Sequence, residues 1–501
     1  MTGKRIVWAG LILAAVLAAL LFLISKPHET ASGGNPLLVY CAAGVKPPVV
    51  ELAKRYEFES GVKIQIQYGG SGTLLSNIEV SRKGDLYVAA DHSYIELAAK
   101  KGLIAEVLPL AYQHPVIAVP KGNPKNIRRL EDLLQSGVRL ALGNPESASV
   151  GKQTKQLLER AGIWDAVKKQ VEQNGVFKPT VPDVANDVKL GAVDAGIIWD
   201  ATAAQYPELE AVNVPLFDSV RDEVSVAVLN SSEQPTAALR FARWLNSKIG
   251  NEVFKTCGFE AVDGDVWAAH PEITFFCGSV NRRAVDATVK EFEQREGVTV
   301  NTIYNGCGTL TGQMKVIKQK EGSAGFPDVY MACDRYYLNN VRDWFQEDID
   351  VSDAAIVIAV PKGNPKNIQG VADLTKENIR IAVGQPEQCT IGALTRIMLE
   401  KMNVYGSVMS NVVTQTASSA MLIPAVTTKS VDAAIAYITD TKSESDKVDV
   451  IRIDSPFAIA VQPFSVACSS EHKFLGRRLF GKIAASEKRF EDAGFNFRLK
   501  K

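Results

Sequence analysis

The chain repeats itself at a spacing of about half its length. The phrase VIAVPKGNPKNI occupies residues 116–127 and returns unchanged at 357–368. Earlier in the copies, LLVYCAAG around Cys41 corresponds to ITFFCGSV around Cys277. The difference in residue number between corresponding positions increases where the second copy has KQKEGSAGFPD and the first has the shorter SRKGD. That difference is typical of a loop insertion. Each copy has about 230 residues, the size of a whole domain. The sequence therefore predicts a tandem duplication.

The repeat also sets the predicted boundaries: a first domain at 37–262, a linker at 263–272 and a second domain at 273–501. At residues 1–25, the uncharged run IVWAGLILAAVLAALLFLIS follows Lys4 and Arg5. As a helix this run is about 30 Å long, which predicts a membrane anchor with the rest of the chain on the outer side. Residues 26–36 then form a tether. A cleaved signal peptide, with a weak cut near Ser32, is the alternative.

Within one copy, the hydrophobic pattern alternates between strand and helix. LLVY is a short apolar run, PPVVELAKRYEFE has helical spacing with Pro47 and Pro48 in its first turn, and VKIQIQYG alternates like a strand. Alternation of strands and helices predicts an α/β sheet with right-handed crossovers. Ligands of such sheets bind beyond the carboxyl ends of the strands.

Three segments of each copy bring small residues to a predicted helix start. They are CAAGVKPP, YGGSGTLL and ALGNPESASVGK in the first copy, and CGSVNRR, NGCGTL and GQPEQCTIGAL in the second. Unpaired N–H groups and the positive end of the helix dipole favour anions at such places, and Gly or Ala lets an anion approach closely. Any single segment is consistent with an ordinary capped helix. Their recurrence favours an anion site in each domain.

The composition excludes several other functions. Lys plus Arg equals Asp plus Glu at 56 each, so the net charge does not indicate a nucleic acid partner. The seven cysteines show no zinc-site spacing, and the five histidines are scattered. YGGSGT lacks the last Gly of a nucleophile elbow, and SVGKQT lacks the glycine and hydroxyl of a P-loop. Asp91 and Asp334, the candidate general bases of an enzyme, are interpreted as strand-end carboxylates that cap neighbouring backbone. No cofactor or metal site is predicted.

The order of motifs resembles the molybdate- and tungstate-binding proteins of ABC importers, within the type II periplasmic binding protein fold. YGGSGTL, GDLYVAAD, NPESASVGK and VDAGIIWD carry the resemblance in the first copy, and the second follows more loosely. The resemblance implies two tandem type II periplasmic-binding-protein-like domains, each of two α/β lobes around a cleft. It also implies that backbone N–H groups and hydroxyls enclose an oxyanion in the cleft.

The resemblance further implies the ligand-binding residues of both domains. In the first domain they are Ala43, Gly44, Ser71, Gly72, Ala148, Ser149, Val150 and Trp199. In the second they are Ser279, Val280, Cys307, Gly308, Cys389, Thr390, Ile391 and Tyr437. The family's first serine falls on Gly44 in the first copy, its second serine becomes Cys307 in the second, and its tyrosine becomes Trp199 in the first.

Four cysteines of the second copy fall on loops that should face its cleft. Cys277, Cys307, Cys333 and Cys389 stand where the first copy has Cys41, Ser71, Ala90 and Ala148. Three interpretations remain open: small buried residues, disulfides, or a thiophilic site that alters ligand choice.

The sequence thus favours a non-enzymatic, membrane-tethered receptor that presents an oxyanion to an ABC permease, with molybdate or tungstate the expected ligand. The alternatives are a membrane-anchored ligand sensor or scaffold, with a second domain that binds a different ligand or none, and an enzyme acting on a small anion.

Overall fold

The computed structural model describes residues 35–319 and 324–499. The predicted anchor and the tether up to residue 34 lie outside the described residues, as do residues 320–323 of the insertion. Within the described ranges, no helix has the length and apolar character needed to cross a membrane. The chain divides into two compact units between Asp263 and Gly264.

The first unit contains two mixed sheets, and each sheet forms the centre of one lobe. The strands of lobe one are β1 Leu37–Ala42, β2 Ile64–Gly69, β3 Leu86–Ala89, β4 Ile104–Gln113, β10 Asp222–Leu229 and β11 Glu260–Ala261. Those of lobe two are β5 Pro115–Pro120, β6 Leu140–Gly143, β7 Gly175–Lys178, β8 Ala195–Trp199 and β9 Leu209–Val212. The chain therefore passes to lobe two after β4 and returns to lobe one after β9.

The strand orders are β11-β4-β10-β3-β1-β2 in lobe one and β7-β6-β8-β5-β9 in lobe two. In lobe one, β1 pairs in parallel with β2 and β3, whereas β10 is antiparallel to β3 and β4. The returning strand β10 is antiparallel because it re-enters lobe one from the other lobe. At the centre of lobe one, β1 and β3 are almost fully buried. The edge strand β2 alternates between half-buried and exposed residues from Ile64 to Gln67, as the alternation in VKIQIQYG predicts, and Tyr68 after them is exposed as well.

Ten α-helices cover these sheets within residues 35–263 of the first unit. They are α1 Lys46–Ser60, α2 Ser71–Ser81, α3 His92–Lys100, α4 Ser149–Arg160, α5 Trp164–Asn174, α6 Val181–Lys189, α7 Asp200–Ala204, α8 Pro215–Asp218, α9 Pro235–Asn246 and α10 Lys248–Thr256. Pro47 and Pro48 lie in the first turn of α1, where the missing N–H groups have no intrahelical acceptor, and this placement was predicted. The helix ends at Gly61, whose φ of 73° suits a residue without a Cβ.

The second unit has the same order of elements. Its strands are β12 Glu272–Gly278, β13 Thr299–Asn305, β14 Val329–Met331, β15 Phe345–Pro361, β16 Ile381–Gly384, β17 Val412–Thr416, β18 Ala433–Tyr437, β19 Val448–Arg452, β20 Ile459–Ala467 and β21 Asn496–Phe497. Its α-helices are α11 Arg282–Glu296, α12 Cys307–Gln319, α13 Arg335–Asn339, α14 Thr390–Lys401, α15 Tyr405–Met409, α16 Leu422–Thr427, α17 Ile438–Thr441, α18 Lys473–Ala484 and α19 Glu487–Asp492.

One continuous strand joins the two lobes of the second unit. The 17 residues of β15 pair with β20 and β21 in the first part and with β18 and β19 in the second. In the first unit the same path is divided into β4 and β5 at His114, and β5 begins with Pro115, which has no N–H. The corresponding Ile356 donates its N–H to the Ala458 carbonyl at 2.9 Å. The presence or absence of this one donor accounts for the different strand boundaries.

The duplicated phrase VIAVPKGNPKNI forms the first strand of lobe two and the turn after it. Asn123 exchanges two hydrogen bonds with Ile127, at 2.7 and 2.9 Å, while its backbone has a φ of 46°. Asn364 and Ile368 repeat this arrangement at 2.8 and 3.0 Å, again with a φ of 46°. The left-handed backbone and the side-chain bridge favour Asn in this turn. The phrase therefore has a structural role in both units.

Candidate ligand-binding clefts

A small cavity lies between the lobes of the first unit, beyond the carboxyl ends of β1, β2, β3 and β6. The space without protein atoms in and around it, open solvent at its mouth included, is about 220 Å³. The turn after β1 and the start of α2 form its wall in lobe one, and the starts of α4 and α6 form its wall in lobe two. The lining residues are Ala42, Ala43, Gly44, Gly69, Gly70, Ser71, Ala90, Ala148, Ser149, Val150, Thr180 and Val181.

Lobe one supplies a hydroxyl donor through Ser71, the first residue of α2. The side chain is buried, and its Oγ accepts a hydrogen bond from the Ala90 N–H at 3.3 Å. Because Oγ is the acceptor in that bond, the hydroxyl hydrogen remains available to a guest in the cavity. The phenol of Tyr87 donates to the Ser71 carbonyl at 2.8 Å and fixes this residue from below.

Lobe two supplies backbone donors at the start of α4. Ser149 and Val150 are its first two residues, and neither N–H makes a hydrogen bond to another backbone group of the described chain. The N-cap is Ala148, whose side chain has no atom able to accept from these donors. The donors therefore face the cavity without the usual capping partner, at the positive end of a helix of 12 residues.

The walls of this cavity carry no charge. All twelve residues that line it among those described are neutral, and Ser71, Ser149 and Thr180 contribute its hydroxyls. Neutral dipoles stabilise an anion without a paired cation, which allows the anion to be released again. The small side chains allow a guest to approach the backbone closely. The arrangement is suited to holding a small anion with hydrogen-bond acceptors on several sides.

Glycines allow the two lobes to meet around the cavity. A Cβ on Gly70 would lie 2.3 Å from the Ser147 carbonyl oxygen and 2.6 Å from that of Pro179, both in lobe two. A Cβ on Gly72 would lie 2.5 Å from the Glu146 carbonyl oxygen, and the Gly72 N–H donates to the Ser147 carbonyl at 2.9 Å. Since these neighbours are backbone atoms, a side chain at either position would push the lobes apart.

Six of the eight residues predicted for the first cleft line the cavity: Ala43, Gly44, Ser71, Ala148, Ser149 and Val150. Gly72 instead contacts lobe two. Trp199 lies behind the turn that contains Gly44, and its Nε1 is buried without a hydrogen-bond partner in the described chain. The other six lining residues were not among the predicted ligand-binding residues: Ala42, Gly69, Gly70, Ala90, Thr180 and Val181. Ala42, Gly69 and Gly70 nevertheless lie in segments predicted to form the site, and Ala90 is the counterpart of the cleft-facing Cys333. The AAD at the end of β3 contains Ala90, and the TVP at the start of α6 contains Thr180 and Val181.

The equivalent place in the second unit is filled by larger side chains. Val280 occupies the position of Gly44, and it is 6% exposed. Cys307 and Cys333 occupy the positions of Ser71 and Ala90, and the Cys333 N–H donates to the Cys307 Sγ at 3.0 Å. A Cβ on Gly278 would lie 2.2 Å from the Cys333 Sγ. Sulfur atoms therefore fill the space beside the β12 turn.

A larger cavity of the second unit opens farther out between its lobes. The space without protein atoms in and around it, again including open solvent, is about 870 Å³. The lining residues are Ser279, Val280, Arg282, Arg283, Ala420, Ile423, Pro424, Thr439, Asp440, Ser443, Glu444 and Ala493. Unlike the cavity of the first unit, it therefore carries charges of both signs.

Two buried oxygens of this larger cavity have no partner. The Thr439 Oγ1 and the Asp440 Oδ2 make no hydrogen bond within the described chain. Burial raises the pKa of Asp440 to about 7, against the opposing effects of a hydrogen bond with Ser419 and the charge of Arg283. At neutral pH this carboxyl is therefore partly protonated, and it can donate as well as accept a hydrogen bond.

Of the eight residues predicted for the second cleft, Ser279 and Val280 line this larger cavity. The other six do not: Cys307, Gly308, Cys389, Thr390, Ile391 and Tyr437. Thr390 and Tyr437 are buried, and their hydroxyls have no partner in the described chain. A Cβ on Gly308 would meet the Glu387 carbonyl oxygen at 2.5 Å, so the contact between lobes is built as in the first unit.

The two candidate general bases serve as helix caps, as predicted. The Asp91 carboxylate accepts from the Ser93 N–H at 2.6 Å at the start of α3. The Asp334 carboxylate accepts from the N–H groups of Tyr336 and Val461, each at 2.8 Å. Both carboxylates are occupied by backbone donors.

The sequence of each unit matches the same family model. The model for bacterial extracellular solute-binding proteins covers residues 37–260 and again residues 273–496. The chain belongs to this family. Both units of this solute-binding protein contain the two-lobed architecture with a cavity between the lobes.

Individual relatives match about half of this solute-binding protein. The molybdate-binding protein ModA of Mycobacterium bovis is 26% identical over 239 residues, covering 47% of this chain and 88% of the relative. ModA of Escherichia coli is 26% identical over 231 residues, covering 44% and 88%. Among solved structures, the periplasmic molybdate-binding protein of Azotobacter vinelandii superposes with a TM-score of 0.38 at 18% identity, covering 44% of this chain and 98% of that one.

Proposed function

We propose that the chain is the extracytoplasmic substrate-binding component of an ABC importer and that its first unit binds a tetrahedral oxyanion, with molybdate or tungstate the preferred ligand. One observation carries the proposal: the uncharged cavity where the Ser71 hydroxyl and the free N–H groups of Ser149 and Val150 converge from two lobes. The molybdate-binding relatives support the choice of ligand. Binding requires no enzymatic step, and the importer's permease is the proposed partner.

The apolar segment at residues 1–25 is proposed to anchor this receptor to the membrane, with both units on the outer side. An uncharged run of this length fits a bilayer, and Lys4 and Arg5 would stay on the cytoplasmic side. Fractionation of cells that express the chain tests this part. Recovery of the chain in the soluble periplasmic fraction would contradict it.

Calorimetry tests the ligand. The chain from Pro36 onward is titrated with molybdate, tungstate, sulfate and phosphate. Saturable binding of the first two, and weaker binding of the others, is the expected result. Gly44→Val introduces the residue that the second unit has at this position, and its Cβ would lie 2.7 Å from the Val181 Cγ1, so it should abolish binding. The absence of binding by all four anions would contradict the proposal.

A second proposal concerns the second unit, which we infer takes a different ligand from the first. Its larger cavity has Arg282 and Arg283 on one side and the unpartnered oxygens of Thr439 and Asp440 on another. Such a surface favours an organic molecule with both an anionic group and hydrogen-bond donors. Competition calorimetry with molybdate-saturated protein tests this proposal. Such a ligand should bind as an event independent of molybdate. Displacement of molybdate would contradict the proposal that the two units take different ligands.

A further inference from the structure

Cys307 and Cys333 form a close pair of thiols in the second unit. Cys307 is the first residue of α12, and Cys333 follows β14, 26 residues later. Their Sγ atoms lie 2.8 Å apart, and the side chains are buried under Gly278. The first unit has Ser71 and Ala90 at these positions, so the pair is specific to the second unit.

The surrounding hydrogen bonds give the two sulfurs different roles. Burial opposes ionisation of Cys307, but the contact with the Cys333 thiol and the hydrogen bond that the Cys333 N–H donates at 3.0 Å outweigh it and hold the pKa of Cys307 below the ordinary value. The pKa of Cys333 is raised well above the ordinary value by the hydrogen bond to Cys307 and by burial. Cys307 is therefore the nucleophilic sulfur, and Cys333 is the protonated neighbour.

The other two cysteines near this cleft do not share the arrangement. The Cys277 thiol contacts the Gly278 carbonyl at 3.7 Å, much as Cys41 of the first unit contacts the Ala42 carbonyl at 3.5 Å. Cys277 is therefore a buried packing residue common to both copies. Burial raises the pKa of Cys389 to about 11, which disfavours the reactive thiolate.

A metal ion does not account for the pair. Within the described residues, no group of three or more His, Cys, Asp or Glu side chains could hold a metal ion. In a tetrahedral zinc site each thiolate sulfur lies about 2.3 Å from the metal. The tetrahedral angle then separates two such sulfurs by more than the 2.8 Å between the Sγ atoms of Cys307 and Cys333.

We propose that Cys307 and Cys333 are a redox site that forms an intramolecular disulfide beside the turn after β12, under Gly278. Disulfides persist in the oxidising environment outside the cytoplasm, where the members of this family act. The site is independent of the oxyanion proposed for the first unit. Both cysteines belong to the lobe that contains β12 and β14, so the bond does not tie the two lobes together.

The chemistry is thiol–disulfide exchange with a small or protein disulfide as the oxidant. Since both thiols are buried in the folded unit, the exchange takes place while the chain folds and the oxidant still has access. The Cys307 thiolate attacks one sulfur of the oxidant, and a mixed disulfide forms as the other sulfur leaves as a thiolate. Cys333 loses its proton and attacks the Cys307 sulfur, which expels the second thiolate of the oxidant. The two cysteine thiols are oxidised to one disulfide, and the oxidant is reduced to two thiols. The two released thiolates take up the two protons that Cys307 and Cys333 lose.

Peptide mapping of the full chain in detergent tests this site. The protein is reduced, unfolded, refolded in a glutathione redox buffer, alkylated and digested. We expect a cross-linked peptide that joins Cys307 to Cys333, and a loss of two alkylatable thiols that reduction reverses. Exposed Cys468 reports whether the oxidant reached the protein.

Matched variants come from the first unit. Cys307→Ser and Cys333→Ala introduce the residues found there, and each should abolish the cross-link while the fold is retained. Cys389→Ala introduces the counterpart Ala148 and should leave the cross-link intact. Alkylation of both Cys307 and Cys333 after oxidative refolding would overturn the proposal, and so would a cross-link from either of them to Cys277 or Cys389.

Discussion

Ser71 and Cys307 occupy the same place in the two units, yet they give their surroundings different chemistry. Each opens a helix and accepts a hydrogen bond from a backbone N–H of the neighbouring loop, at 3.3 Å for Ser71 and 3.0 Å for Cys307. The hydroxyl retains a hydrogen for a guest. The Cys307 sulfur instead contacts the Cys333 sulfur, so this position has no hydrogen-bond donor directed at an anion. The replacement of Ser71 and Ala90 by Cys307 and Cys333 therefore distinguishes the chemistry of the two sites.

Ser71→Ala should weaken oxyanion binding by about 1 to 3 kcal/mol, because a hydrogen bond to a charged ligand is lost. Calorimetry of the chain from Pro36 onward measures the change. Ser76→Ala, on the exposed side of the same helix, is the control and should leave the affinity unchanged. Equal affinities for wild type and Ser71→Ala would remove this hydroxyl from the site.

Asp440→Asn should stabilise the second unit at pH 8 but not at pH 5. The folded-state pKa of about 7 is above the usual value, so between about pH 4 and pH 7 the folded state holds a proton that the unfolded state has lost. The free energy of unfolding therefore falls as the pH rises through this window. We expect a gain of about 1 to 3 kcal/mol at pH 8, measured by urea unfolding.

The first unit provides the control for this substitution, because it has the uncharged Thr202 at the corresponding position. Hydrogen exchange resolved by peptide would assign the stability change to the second unit. A gain of equal size at both pH values would show that the effect does not come from ionisation.

At the scale of elements, short helices and the glycines before them decide how the lobes meet. Gly70 precedes α2 in the first unit and Gly306 precedes α12 in the second, and each approaches carbonyl oxygens of the opposite lobe. A side chain added at such a contact would increase the distance between the two lobes, because the backbone atoms that it would meet can move only together with the rest of their lobe.

Gly70→Ala should weaken oxyanion binding at least about tenfold, or roughly 1.4 kcal/mol. The new Cβ would overlap the Ser147 and Pro179 carbonyl oxygens and keep the lobes from closing on the guest. Calorimetry measures the loss. Gly312→Ala, which adds a Cβ with nothing within 4 Å, is the control. Unchanged binding in the Gly70 variant would show that this contact is not needed for closure.

The continuous strand β15 gives the second element-scale prediction. Ile356→Pro removes the N–H that bonds to Ala458 in the middle of the strand and should destabilise the second unit by about 3 kcal/mol. Ile356→Val keeps the donor and should cost about 1 kcal/mol. Chemical unfolding compares the two. Similar costs for both variants would mean that packing, and not the hydrogen bond, determines the stability at this position.

At the scale of the whole molecule, duplication has produced two units with one architecture and two different clefts. The first cavity is small and uncharged, and the second is larger and carries charges. The two units share the contacts that support the fold. For example, the ion pair of Arg139 with Asp194 at 2.9 Å in the first unit recurs as the ion pair of Arg380 with Asp432 at 3.0 Å in the second. The scaffold has been retained in both copies while the residues at the cleft have diverged.

This divergence predicts one oxyanion per chain. Calorimetry should give a stoichiometry near one for the chain from Pro36 onward, and Gly44→Val should reduce it to none. Val280→Gly, the reverse exchange in the second unit, should leave it at one because the sulfurs of Cys307 and Cys333 remain. Two equivalent sites in the wild-type protein would contradict the distinction between the clefts.

The sequence alone determined the duplication, the α/β character and most of the first cavity, because these depend on local signals. Repeated letters, hydrophobic period and small residues at helix starts are visible along the chain. The tertiary structure decided the rest, since it depends on residues distant in sequence. Thr180 and Val181 reach the cavity from lobe two, β10 returns antiparallel into lobe one, and the Cys307 sulfur meets Cys333 instead of an open cleft. Which side chains share a space is set by how the lobes pack, and no single segment contains that information.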